Sequence, residues 1–177
     1  DVIENWSDFC ALRSSWDAVH AADPEAHFFL SWSWLAAFFE RNPSRWRVFA
    51  VRRHGAVSDY VGFFPAKYRV HWSKSNKAFQ TESESGGRLG WSGYTGFLCD
   101  SALEKQILTA LAAKLAILPW TRLSVCYEPS ERRADLFMKA FPEASFRSRF
   151  KDYRINNGQT DNLTCPQIAL PTDYETY

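Results

Sequence analysis

The groups in this 177-residue chain that could do chemistry are four histidines, four cysteines and an unusual density of aromatic and basic residues. His20, His27, His54 and His71 fall near expected helix ends, turns or strand ends. None has a carboxylate at a spacing that marks a base and its orienting acid, so each reads as an exposed structural histidine. Cys10, Cys99, Cys126 and Cys165 are too far apart for a zinc knuckle or a paired redox motif, and no metal site is expected. Cys126 follows an apolar run, with no histidine or asparagine placed to activate it, and reads as a core thiol. The sequence therefore names no catalytic residue.

Binding residues are better marked. Trp91 and Tyr94 flank a glycine-rich stretch and have the ring faces to line an acceptor groove, since rings stack on sugars and nucleobases; the alternative is that Tyr94 opens a strand and packs. Arg147, Arg149, Lys151 and Arg154, with Tyr153 among them, include alternate positions of one expected strand, so several could face one way. They form either a patch for a phosphate-bearing acceptor or a solvated strand face. The substrate-binding candidates are thus Trp91, Tyr94, Arg149 and Tyr153. Arg88-Leu-Gly90-Trp-Ser-Gly93 holds residue types used to cradle a diphosphate, but its spacing is wrong and it precedes an expected strand rather than a helix. No cofactor site is expected in this chain.

The bulk numbers bound the function classes. With 46% hydrophobic and 23% charged residues the chain has enough apolar surface to fold. Lys+Arg is 21 against Asp+Glu 20, a net charge of +1. A protein that grips nucleic acid carries a basic excess, and no aromatic RNA-binding signature is present, so nucleic acid is not an expected partner. The apolar runs are too short to span a bilayer, no leader pattern opens the chain, and the thiols read as reduced and mostly buried, which gives a cytoplasmic expectation.

The elements that must position these residues follow from periodicity. Trp6, Phe9, Cys10, Arg13, Trp16 and Val19 share one face of a helix over about 6–20. A second helix starts at Ser31, with Leu30 stapled to Leu35, buries Trp34, Leu35, Phe38 and Phe39, and stops at Asn42-Pro43. Strands are expected over 46–52 and 60–68, joined by a His54-Gly55 turn, with 69–72 extending the meander and Pro65 at an edge or bulge. Residues 73–93 read as a loop or ragged short strands, and 94–99 as a brief strand. Ser101-x-x-Glu104 is a capping box for an amphipathic helix closed by Pro119. A strand over 122–127, a helix opened by Ser130, a strand over 145–155, an Asn157-Gly158 turn and a strand over 163–170 complete the order. This predicts a mixed α/β fold: a largely antiparallel sheet with helices on both faces.

Specific phrases then carry a resemblance. Phe28 to Phe39 (FFLSWSWLAAFF), Trp46 to Tyr68 with Val61-Gly-Phe-Phe-Pro65 inside it, Trp91 to Asp100 (WSGYTGFLCD) and Ile155 to Tyr177 resemble, in order and spacing, the opening lobe of CelD-like or FemAB-like acyltransferases of the GNAT superfamily. The resemblance implies two GNAT-like lobes, with the acyl donor, an acyl-CoA, held mainly by the second. It also implies a small-molecule or glycan-precursor acceptor, with members serving cell-envelope or exopolysaccharide biosynthesis. Gly93 departs from the pattern, since relatives often carry aspartate there. On this reading residues 1–162 form the N-terminal GNAT-like lobe. Residues 163–177 form a final strand and the start of a linker to a C-terminal lobe beyond Tyr177, whose helix would open at Thr172-x-x-Glu175. The alternative is a GNAT-shaped binding or scaffolding module without transfer activity.

Overall fold

The computed structural model describes residues 1–87 and 93–149, and the backbone of residues 154–155 and 160–161. It contains two compact units, Asp1–Phe146 and Arg147–Tyr177.

In the first unit a two-residue strand, β1 (Val2–Ile3), leads into helices α1 (Trp6–Ala11) and α2 (Arg13–Ala22). One helix was expected here; the chain instead breaks at Leu12, whose amide bonds back to Phe9 and Cys10 carbonyls. The break changes which residues go inside. Phe9, Leu12, Trp16 and Val19 are buried, whereas Cys10 and Arg13, expected on the buried face, are exposed. Arg13 lies instead over the Trp32 ring, 4.7 Å from its centroid. A 3-10 turn (Phe28–Leu30) precedes α3 (Trp32–Arg41), which starts at Ser31 as expected, the serine hydroxyl accepting from the Trp34 amide at 3.3 Å. Asn42 ends it, its side-chain amide donating to the Phe38 carbonyl at 2.8 Å.

The sheet comprises β1, β2 (Trp46–Arg52), β3 (Tyr60–Ser73), β4 (Ala78–Ser85), β5 (Leu98–Cys99) and β6 (Arg122–Ser124). Its order is β1-β2-β3-β4-β6, with β5 also beside β3. Every pairing is antiparallel except β4–β6. Helix α4 (Glu104–Ala116) lies between β5 and β6 in sequence, and α5 (Glu131–Lys139) follows β6. Alternation along β2 explains the layers: Trp46, Val48 and Ala50 join α1, α2 and α3 in one core, while Phe49 joins α4 and α5 in the other. The expected fold class, a mixed α/β domain with a largely antiparallel sheet and helices on both faces, is the one found.

Several boundaries moved. Residues 78–85, expected as loop or ragged strands, form an eight-residue strand paired to β3 from Ala66↔Ser85 to Ser73↔Ala78. Only Leu98–Cys99 of the 94–99 segment, and only Arg122–Ser124 of the 122–127 segment, pair as strand. The Ser101–Glu104 capping box does not form. Leu103 occupies the cap position without a side-chain bond, Asp100 Oδ1 accepts the Ala102 amide at 3.0 Å, and the Glu104 carboxylate turns to two arginines.

Pro65 stands in the central strand β3 rather than at an edge, opposite Val48. Its carbonyl accepts the Gly86 amide at 2.9 Å, so its ring nitrogen faces that same side, away from β2. There β3 exchanges one neighbour for another: β5 pairs with Gly62 and Phe63, β4 with Ala66 onward. The missing N–H falls where the sheet has no continuous ladder to lose.

In the second unit β7 (Arg154–Ile155) and β8 (Thr160–Asp161) pair antiparallel, and the Asn157-Gly158 turn expected between them lies outside the described residues. Residues 145–149 are not strand, in contrast to the expected strand over 145–155, and the strand expected over 163–170 lies outside the described residues.

Gly62 is where α4 seats on the sheet. A Cβ there would overlap the Ile107 methyl and stand 3.1 Å from the Leu98 carbonyl oxygen. Gly62→Val is expected to lower stability by about 1–3 kcal/mol through overpacking, measured by urea denaturation. A midpoint equal to wild type would contradict this seating.

Candidate functional site

The site is assembled around a charge that the fold has buried. Arg133, on the first turns of α5, is 1% exposed, and the Asp23 side chain at the end of α2 is fully enclosed. The guanidinium meets Asp23 in a two-pronged pair, Nη2 to Oδ1 at 2.7 Å and Nη1 to Oδ2 at 2.9 Å. Its Nε donates to Glu104 at 2.8 Å, and Nη1 also donates to the Phe97 carbonyl at 3.2 Å. Asp23 accepts two backbone amides as well, from Glu25 at 2.9 Å and Cys99 at 2.9 Å. Burial works against both Arg133 and Glu104 as ions. The bonds between them and their neighbours nevertheless hold the arginine's pKa above its ordinary value and the Glu104 carboxyl below its own. Arg132 closes the outer side, bonding Glu104 and, at 2.6 Å, Glu25.

This cluster fixes the segment 93–97, which runs beside it. Parallel strands β4 and β6 stay paired only to Glu84↔Ser124. Beyond that point Thr95 bonds to both sides of the opening. Its amide donates to the Tyr127 carbonyl at 3.1 Å, and its hydroxyl donates to the Cys126 carbonyl and pairs with the Ser85 hydroxyl at 2.6 Å. The Cys126 amide donates to the Ser85 hydroxyl at 3.0 Å. One proton per hydroxyl suffices for a closed ring: Cys126 amide to Ser85, Ser85 to Thr95, Thr95 to the Cys126 carbonyl. Crevices where neighbouring strands of an α/β sheet part are common ligand sites. In this chain its own segment fills the crevice.

Two groups with displaced proton affinities lie against that segment. Glu128, just after β6, is pushed up to about 8 by burial, against the pull of the Ser130 amide, Arg133 and the Phe97 amide. Its Oε1 accepts the Ser130 amide at 3.1 Å; its Oε2 is buried against Gly96 without a hydrogen bond of good geometry. Gly96 adopts φ 148°, and any Cβ on it would overlap Glu128 Oε2. On the α2–α3 connection, burial lowers the His27 pKa below its ordinary value, opposed chiefly by the Thr95 backbone carbonyl. At neutral pH His27 is therefore an uncharged imidazole and Glu128 largely an uncharged carboxyl.

Aromatic side chains wall the neighbouring surface. Tyr94 is half-buried, with its ring 5.6 Å from His27 and 6.3 Å from Phe29; Phe29 and Phe28 meet Trp34 at 5.1 and 5.3 Å. Trp34 is anchored by its indole N–H to the Gly87 carbonyl at 2.6 Å, and Phe28 is 65% exposed. Of the residues the sequence singled out for binding, Tyr94 thus sits in a ring cluster beside His27. Arg149 is exposed in the second unit, not on a strand, and Trp91 and Tyr153 lie outside the described residues. Of the four histidines expected to be exposed, His54 is; His20 and His71 are half-buried, and His27 is half-buried with both ring nitrogens enclosed. Cys99 is buried and its thiol pKa raised by that burial, as a core thiol's should be; Cys126 is half-buried, and Cys10 is exposed. Sequence reasoning missed Asp23, Arg133, Glu104 and Glu128, because their partners are remote in the chain. Among the described residues no group of three histidine, cysteine, aspartate or glutamate side chains is placed to hold a metal ion, and no helix is long and apolar enough to cross a membrane.

No family model matches the chain, and no curated protein matches it. Among solved structures it is similar to the aminoglycoside antibiotic 6'-N-acetyltransferase AAC(6')-Ih from Acinetobacter baumannii, at 10% identity, covering 88% of this chain and 99% of that one, with a TM-score of 0.48. A likeness at that level assigns neither a family nor an activity.

The ion cluster makes a sharp prediction. Asp23→Ala leaves the Arg133 charge buried without its two-pronged partner and is expected to cost about 3–5 kcal/mol of stability. Arg69→Ala, on an exposed strand pair with Glu82, should cost less than about 1 kcal/mol. Equal losses in denaturant titrations of the two variants would refute the assignment.

Proposed function

We propose that the chain is the N-terminal, acceptor-side lobe of a GNAT-type acyltransferase, in which an acyl group passes from an acyl-CoA-like donor to an acceptor amine or hydroxyl. The reading starts from the family-like phrases, and one structural observation carries its division of labour: the places where this lobe would hold the donor's diphosphate are closed by its own side chains. A diphosphate seeks free amides at a helix N-terminus. At α4, Glu104 brings a negative carboxylate into the first turn. At α5, Ser130 caps the Arg133 amide, Glu128 takes the Ser130 amide, and Glu131 adds a second negative group. The crevice between β4 and β6 holds Thr95. These bonds and negative groups support a donor site outside this lobe.

What the lobe offers instead is the aromatic wall of Phe28, Phe29, Trp34 and Tyr94, beside an imidazole that is neutral at physiological pH. An activated thioester supplied from a second lobe would be attacked directly by the acceptor, and this lobe would orient that acceptor. A glycan precursor of cell-envelope or exopolysaccharide synthesis and a cytoplasmic location fit the resemblance, and both belong to the proposal.

Calorimetry of the 177-residue chain with acetyl-CoA is expected to show no binding heat. Clear micromolar binding would overturn the placement of the donor outside this lobe. The gene beyond residue 177 separates the transferase from a scaffolding module: a second GNAT-like lobe supports the first, an unrelated domain the second.

A further inference from the structure

The segment that fills the crevice is held on one side by a carboxyl group with no room for anything else. Gly96 has no side chain, Glu128 Oε2 occupies the place a Cβ would take, and the same oxygen is buried without a well-formed bond. Thr95, the neighbouring residue, makes the bonds that bridge Ser85 to Cys126 and Tyr127. We propose that the Glu128 carboxyl, seated against Gly96, is a proton-operated latch that holds residues 93–97 in the crevice between β4 and β6. With its proton the carboxyl is a neutral group that the cramped seat tolerates. Without it, a carboxylate lies in a buried place where burial outweighs the pull of the Ser130 amide, Arg133 and the Phe97 amide, and Arg133 is already committed to Asp23, Glu104, Glu25 and the Phe97 carbonyl. Glu25, the other charged group that Glu128 senses, is itself negative. Release of the segment also moves Tyr94, so on the acceptor-lobe reading, and only for this consequence, the latch controls whether the aromatic wall is assembled.

The pH window follows from two groups. Glu128 has an ordinary value of 4.5 when released and about 8 when seated, so the seated state binds the extra proton and loses ground as pH rises between those values. His27 works in the opposite sense, because its seated pKa lies below the ordinary 6.5. Seating the segment therefore gains as pH rises towards 6.5 and gains nothing above it. The groups facing His27 are His20, Asp23 and Arg133, with the Tyr94 ring alongside. Above about 6.5 only the Glu128 effect remains, at up to about tenfold per pH unit and levelling off as pH reaches the seated value.

The test is hydrogen exchange at the Thr95 and Cys126 amides, expressed as protection factors so that the intrinsic pH dependence of exchange is removed. Between pH 6.5 and 8 wild-type protection is expected to fall by about fifteenfold. In Glu128→Gln, which cannot ionise, it should stay within about threefold over the same range. A carboxyl-carbon NMR titration of wild type reads the latch without any variant, with a Glu128 midpoint of about 8. Gly96→Ala, which evicts the carboxyl, should bring that midpoint down towards 4.5 and lower Thr95 protection at every pH. Flat wild-type protection, an unchanged fall in Glu128→Gln, or a wild-type midpoint near 4.5 would each overturn the proposal. None of these readouts depends on transferase activity, so failure of the acyltransferase reading is recognised separately, in the calorimetry.

Discussion

One guanidinium organises the functional end of this molecule. Arg133 is fully enclosed, and an unpaired charge there would not be tolerated. Its donors reach Asp23 behind α2, Glu104 at the start of α4 and the Phe97 carbonyl on the crevice segment. Asp23 in turn takes the Cys99 amide, which brings β5 into the same set. Helices from both faces of the sheet are thereby tied at the sheet's open end. The apolar cores on the two faces are large and aromatic, but apolar packing is non-directional. The ion cluster supplies the directional bonds that set where segment 93–97 runs.

The chemistry beside that cluster differs in kind from it. Charges are matched and spent inside the cluster, whereas the two titratable groups next to the segment, His27 and Glu128, are both held neutral by burial. Rings from the α2–α3 connection and from Tyr94 continue this uncharged surface outward to Phe28. A surface of ring faces and neutral polar groups recognises shape and stacking rather than charge. That agrees with the near-zero net charge of the chain.

Most of the fold was legible in local patterns, because local patterns are what backbone periodicity and caps reflect. Ser31 and Ser130 cap the helices they were expected to open, β2 has its expected bounds, and the two-faced sheet follows from alternation along it. Errors came where a tertiary contact outweighed a local preference. Glu104 had the sequence of a capping box, but two arginines offered its carboxylate stronger partners. Pro65 pointed to an edge, and it sits mid-sheet because β3 changes neighbours at that row. Of the residues named for binding, Tyr94 packs among the rings beside His27, and Trp91 and Tyr153 lie outside the described residues. Nothing in a sequence marks Asp23 as the partner of Arg133, or Gly96 as the seat of Glu128, since their meeting is decided by how distant segments pack.

The distance between Asp23 and Arg133 along the chain, 110 residues, bears on the order in which the protein assembles. During synthesis from the N-terminus, α1, α2, α3 and the β2–β4 meander emerge first. Each can begin to gather apolar surface. Asp23 must wait, hydrated, until α5 arrives to neutralise it, so the end of α2 cannot close over early. Closing so long a loop is entropically slow, and a nascent chain halted before residue 133 would expose the very seam that the finished domain hides.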